Sequence, residues 1–200
     1  MASTSDRPYH HGDLRTALLG QARALLNRDG PEAISFRAIA RSAGVSAAAP
    51  YNHFPSRRDL LAALAADGFT DLAARQEQAA RDTPPGRARF VALGHAYLEF
   101  AVEQPQVYRL MFGIGAQNWH DVPLVATVKG ASIRPLREAI ATHFDDPARA
   151  EIAVISTWST VHGLAMLLID GTLDQAREGL TGTDLAGAAI RWFIEQSLSA

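Results

Sequence analysis

The sequence predicts an all-α fold, and three observations carry that prediction. Its 200 residues include 37 Ala and 21 Leu against nine Val and ten Ile, so good helix formers outnumber the β-branched residues that favour strands. Apolar side chains recur every three or four residues through most of the chain, the period of an amphipathic helix. Gly and Pro stand between those periodic runs, where helices start and stop.

The elements follow in order. Asp13 is placed to cap a helix with apolar positions Leu14, Leu18, Ala22 and Leu25, and Asp29-Gly30-Pro31 stops it. Ser35 caps a short segment, Phe36 to Ala43, that ends at Gly44, and Ser46 caps the next, Ala47 to Phe54, which Pro55 halts. A long helix runs from Arg57 to Arg81 with Leu60, Leu61, Leu64, Phe69 and Leu72 on its apolar side, and Pro84-Pro85-Gly86 breaks it. Further helices are expected over 87–103, from Pro105 to near Gly113, and across 148–170 and 184–198. A loop with Gly115, Asn118 and Trp119 intervenes, and Pro123, Pro135 and Pro147 punctuate the region. About nine helices are expected in all.

Composition narrows the function. With no Cys there is no disulfide framework, thiolate metal site or cysteine nucleophile. Charged residues at 20% and a net charge of −2 argue against disorder and against bulk attraction to nucleic acid. The near-neutral sum hides a division: residues 1–60 carry eight Arg against five acids, whereas 61–200 carry eleven basic residues against sixteen acidic. A basic first third joined to an acidic remainder suits a nucleic-acid reader coupled to a different domain. The single Lys (Lys129) against eighteen Arg carries no functional reading. The opening MASTSDRPYHHGDLR has no apolar run, and no later stretch approaches eighteen uncharged apolar residues, so a cytoplasmic chain without a membrane segment is expected.

Two short helices three residues apart, with Gly44 in the turn, small Ala40 at the crossing and Ile39 and Val45 for the crease, form a helix-turn-helix pattern. Two ordinary packed helices fit the same spacing. The run from Ser35 to Leu61, with its Ile-Ala pair, Ala43-Gly-Val-Ser46 and Tyr51-Asn-His-Phe54 followed by Arg58-Asp-Leu-Leu61, resembles the N-terminal DNA-binding domain of TetR-type transcriptional regulators. Trp158-Ser-Thr-Val-His162-Gly163 resembles the Trp-His-Gly signature of one class of TetR-type C-terminal domain. Gln104 to Phe112 and Tyr9-His-His-Gly-Asp-Leu-Arg15 also resemble that class. The resemblance implies a helix-turn-helix domain over 1–60 and a helical effector-binding and dimerisation domain over 61–200.

Within that frame Arg37 is the long fork-shaped donor for a guanine edge. Ala47, Ala48 and Ala49 offer only close approach and contact with thymine methyls. Tyr51 and Asn52 are the other candidates for base-edge or phosphate hydrogen bonds. His53 and Arg57 match family positions that touch the DNA backbone, and Ser35 and Ser46 expose helix N-terminal amides to phosphate. Pro50 departs from the family pattern, which usually has an aliphatic residue there, and is expected to stiffen its helix rather than break it. Phe36 and Phe54 read as core. His10 and His11 are adjacent on an arm and do not suit a shared metal ion; the resemblance makes that arm part of the DNA-binding domain.

Behind this unit, ligand-lining candidates are Phe90, Tyr97, Phe100, Tyr108, Met111, Phe112 and Trp119, with His95 beside them, although most helical cores look alike in this respect. Trp158 and His162 share a helical face with Met166 and read either as a pocket wall or as core, with His162 donating to a backbone carbonyl and Gly163 admitting a neighbouring helix. The two C-terminal helices suit a four-helix contact with a symmetry mate. Ser159, His162 and Asp170 lack the turn a hydrolase needs. His95, His143 and His162 lack metal or haem spacing, so no cofactor is expected. The reading is a homodimeric repressor released from a palindromic operator by a small, largely apolar effector. The alternatives are a DNA-binding regulator without an effector and, behind it, a helical haem or metal protein.

Overall fold

Helix boundaries fall where the sequence places its caps. In the computed structural model, which describes residues 11–113, 119–173 and 179–197, the Ser35 hydroxyl accepts from the Ala38 amide at 3.2 Å to open α2 (Phe36–Ala43). Gly44 closes it at φ 68°, a left-handed conformation that costs a residue with a Cβ. Ahead of α2 lies α1 (His11–Asp29), which begins two residues before the expected Asp13 cap. Ser56, whose hydroxyl accepts from the Asp59 amide at 3.2 Å, starts α3 (Arg57–Asp82). The remaining helices are α4 (Arg87–Glu103), α5 (Pro105–Phe112), α6 (Pro123–Ala141), α7 (Pro147–Ile169) and α8 (Gly182–Ser197).

Among the described residues there are eight α-helices and no strand. While α6 occupies a stretch where only punctuating prolines were expected, the helix expected over Ala47 to Phe54 is instead a 3-10 segment, Ala49–Asn52. Pro50 explains the difference. It has no N–H to return to the Ser46 carbonyl, which accepts from Ala49 at 3.0 Å, and Tyr51 bonds back to Ala48 at 3.2 Å. Both are the short spacing of a 3-10 turn. Ser46 therefore contributes its carbonyl, not a side-chain cap. Pro135, expected to punctuate, lies inside α6, which runs through it. The arm before residue 11, including Tyr9 and His10, together with Gly115 and Asn118 of the loop, lies outside the described residues.

The core is continuous from the N-terminal unit to the C-terminal helices. Leu18, Ile39, Phe54 and Leu60 close the first three elements, while Leu64, Phe69 and Leu72 carry the same apolar stripe onward along α3. That helix packs against α1, α4, α5 and α6, so the division expected at 60/61 falls inside its first turn. A polar clasp adds to the join. Arg23 of α1 donates to Asp67 at 2.6 Å and to Asp71 at 2.7 Å, both on α3, and to Gln104 at the α4–α5 junction. Burial alone would raise the Asp71 pKa, but hydrogen bonds from Arg75, Arg23 and Gln104 prevail and hold the carboxyl below its ordinary value.

α7 corrects an expectation. It is long and apolar enough, by length and composition, to cross a membrane, whereas no stretch was expected to approach that. Few of its residues are buried within one chain, and Ile152 and Ile155 are exposed.

Close approach is dictated at Gly68 on α3, where a Cβ would lie 2.5 Å from Met111 Sδ and 2.7 Å from Val107 Cγ1 of α5. Gly68→Ala is therefore expected to cost about 1–3 kcal/mol of stability by overpacking. Combining it with Val107→Ala should recover part of that loss, which a double-mutant cycle of urea midpoints would read as coupling between the sites.

Candidate functional site

Two regions carry the functional candidates. The first is the outer face of the N-terminal unit. Arg37 projects from the first turn of α2 and is exposed, as are Ser35, Ser46, Ala47, Ala48 and Asn52, while Ala49 and His53 are half-buried. Tyr51 is 59% exposed, yet its ring meets Phe36 edge-on at 4.5 Å between centroids, so the phenol is braced at the surface. Pro50, Phe36 and Phe54 are buried beneath this face. The expected DNA-facing residues of α2 and the 3-10 turn are thus exposed or half-buried, and the alanines carry no long side chain over the backbone of the turn.

Arg57 differs from the sequence reading. Its Nε donates to the Ile34 carbonyl at 3.0 Å and its Nη2 to the Pro31 carbonyl at 2.6 Å. The guanidinium ties the start of α3 to the chain before α2, and a contact to DNA phosphate competes with those bonds.

The second region is a partly open apolar cavity of about 40 Å³ lined by α3, α4, α6, α7 and α8. Of the nine ligand candidates, Phe90, Tyr97 and Trp158 line it. The others do not. Phe100 and Tyr108 are fully buried in the core, Met111 packs on Gly68, and Trp119 donates its indole N–H to the Leu110 carbonyl at 2.9 Å. Phe112 stacks edge-on against Phe69 and, with Trp158, lines a separate surface groove. His162 sits behind the cavity wall. Its Nδ1 lies 2.6 Å from the Tyr108 hydroxyl and 3.1 Å from that of Tyr97, and the ring stacks on Trp158 at 5.2 Å.

His162 therefore bonds to two phenols, not to the backbone carbonyl expected of it. A Cβ on Gly163 would meet nothing within 4 Å in this chain, so the expected close approach is made elsewhere, at Gly94 on α4, where a Cβ would come within 3.0 Å of Ile190. His95 packs against Gly187 of α8 rather than in the cavity.

Most of the cavity lining lay outside the sequence reading, including Ile133 and Leu136 of α6 and Gln76 of α3. Gln76 follows Leu72 by four residues on the buried stripe, which was the signal available for it. It is 5% exposed.

Electrostatics of the His162 cluster follow from burial, which lowers the histidine pKa and raises both tyrosines above their ordinary value. The imidazole is neutral at pH 7, so Nδ1 accepts a phenolic proton. The unfolded chain then takes up a proton before the folded one does. Stability present at neutral pH is expected to decline as pH falls below 6.5, the ordinary histidine value. His162→Asn, whose side-chain oxygen can replace Nδ1 as acceptor, should flatten that decline, measured as urea midpoints at about pH 7.5 and about pH 5.5.

Comparison with known proteins bears on both regions. The sequence model described as bacterial regulatory proteins of the tetR family matches residues 18–64, and that of the tetracyclin repressor-like C-terminal domain matches residues 90–190. The HTH-type transcriptional regulator Rv1816 of Mycobacterium tuberculosis is 32% identical over 127 residues, 60% of this chain and 54% of the relative. The chain thus spans about half the length of that relative. A second M. tuberculosis HTH-type regulator, Rv0681, is 25% identical over 86% of this chain and 77% of its own length. A solved structure of a Rhodococcus protein of unknown function superposes with a TM-score of 0.80 at 36% identity, covering 98% of this chain and all of that one. With its C-terminal match alone spanning half of its residues and its helix-turn-helix matched separately, this chain belongs to the tetR family of bacterial regulatory proteins.

Proposed function

We propose that the protein is a homodimeric transcriptional repressor that binds a palindromic operator and is released by a small, largely apolar ligand. Its two working units are residues 1–60 and 61–200. The observation that carries this reading is the continuity of α3: it begins at Arg57, beside the exposed 3-10 turn, and reaches the cavity wall at Gln76 without a break. At 1.5 Å per residue those two points lie roughly 28 Å apart along one rigid element. A shift of α3 at the cavity is thereby a shift of the base-reading face.

Arg37 and Tyr51 supply direct readout, the former suited to a guanine edge, and the amides at Ser35 position the unit on phosphate. The alanines admit the backbone closely, so DNA shape contributes beside hydrogen bonds. Dimerisation falls to α7 and α8. Ile152 at 67% and Trp192 at 65% exposure are large apolar side chains that a single chain leaves in water. Ser156 and Ser159 are exposed on the same helix, which suits a protein partner better than lipid. A two-fold pair places the two reading faces about one helical turn of DNA apart.

For release, the ligand must bind the non-fitting spacing better than the fitting one, by about 10⁴-fold if occupancy is to change from nearly full to nearly empty. Selection from random duplexes should enrich an inverted repeat. Arg37→Ala and Tyr51→Ala should relax its sequence preference, and Trp192→Asp should shift the protein to monomer in sedimentation and lose the operator. No enriched repeat, or a monomeric wild type, would sink the assignment.

A further inference from the structure

Gln76 is a polar side chain buried in the wall of an apolar cavity, and half of its amide has a partner. Nε2 donates to the Leu93 carbonyl of α4 at 3.3 Å. The other half, Oε1, has no hydrogen-bond partner among the described residues and is buried. Turning the amide over would set two oxygens against each other at Leu93, so the orientation is fixed by the helix it faces. An unpartnered buried acceptor is a standing penalty that a donor brought by a ligand removes.

Other polar groups at the cavity point to the same complement. Ser132 spends its hydroxyl proton on the Lys129 carbonyl at 2.9 Å, and Thr160 spends its own on Ser156 at 2.9 Å. Tyr97 is engaged with Tyr108 and His162. These side chains leave a guest lone pairs, while Thr157, which also lines the cavity, keeps a hydroxyl that can either donate or accept, so Gln76 Oε1 is the acceptor there that has no donor of its own. No charged residue is among those lining the cavity, so nothing there compensates a carboxylate, a phosphate or an ammonium group.

We infer that the effector is a neutral, mainly hydrocarbon molecule carrying a hydrogen-bond donor, an alcohol, phenol or N–H group, which it presents to Gln76 Oε1. This deepens the proposed function and rests on its reading of the cavity as the effector site. It also gives the ligand a grip on α3 itself, the helix that continues to the base-reading face. With about 40 Å³ of space, the cavity must widen to admit such a chain, which couples binding to conformational change.

The test uses decanol and octanol against their methyl ethers, which keep the oxygen and the hydrocarbon but lose the donor. Affinities are read by displacement of an environment-sensitive dye from the full-length protein, with mobility-shift release from the selected operator in parallel. The alcohols are expected to bind at least about tenfold more tightly than the ethers. Gln76→Met, of similar volume, should erase that preference while retaining affinity for the ethers, and the wild-type comparison decides alone if this variant fails to fold. Ethers binding as tightly as alcohols, or a preference that survives Gln76→Met, would overturn the donor inference and leave the cavity reading intact. Binding of neither class would overturn both.

Discussion

Everything in this molecule hangs on one helix having two environments. The 26 residues of α3 begin in the core of the N-terminal unit, where Leu60 and Leu64 are buried, and end among the C-terminal helices with Phe69, Leu72 and Gln76 on the same stripe. A helix cannot bend sharply without Pro, a bulge or an inserted side chain, and α3 has no proline between its caps. Gly68, a weak point in an isolated helix, is held by Met111 and Val107 across the α5 contact. The two halves of the protein are consequently mechanically joined. The Arg23 clasp to Asp67, Asp71 and Gln104 strengthens that join from the side of α1.

The same constraint explains why the reading face is built as it is. With α3 starting at Ser56, only a few residues remain after Gly44 to present a base-reading edge, and Pro50 tightens them into a 3-10 turn. Tyr51 gains its position from Phe36 underneath rather than from a regular helix. Arg57, the first residue of α3, is spent on the carbonyls of Pro31 and Ile34. A charged side chain there serves the junction before it serves any partner.

Most helices and their boundaries were legible in the sequence because caps and breakers act locally: Ser35, Gly44 and Pro105 impose their geometry on neighbours two to four residues away, whereas α6 was missed because Pro123 and Pro135 read as breaks. The 3-10 turn was misjudged because proline's effect depends on which carbonyl loses its partner, a matter of one residue in register. The cavity was legible only in part. Phe90, Tyr97 and Trp158 were named, but aromatic content does not separate a wall from a core, and Phe100, Tyr108 and Met111 proved to be core. Gln76 was passed over because a Gln in a polar, Ala-rich stretch, with Gln78 two residues on, reads as solvent-facing. Its burial is set by the long-range packing of α4 on α3. The exposed face of α7 was likewise hidden, since apolar sequence looks the same whether its own chain covers it or not.

The absence of cysteine gives the central claim a direct measurement. In the proposed dimer, a single Asn27→Cys on the exposed side of α1 places one spin label per protomer, and double electron–electron resonance then reports the separation of the two N-terminal units. If α3 transmits cavity occupancy, the distance distribution with operator DNA should be narrow and centred on one separation, and saturating decanol should move its centre. An unchanged distribution in protein shown to hold the ligand would contradict transmission through α3.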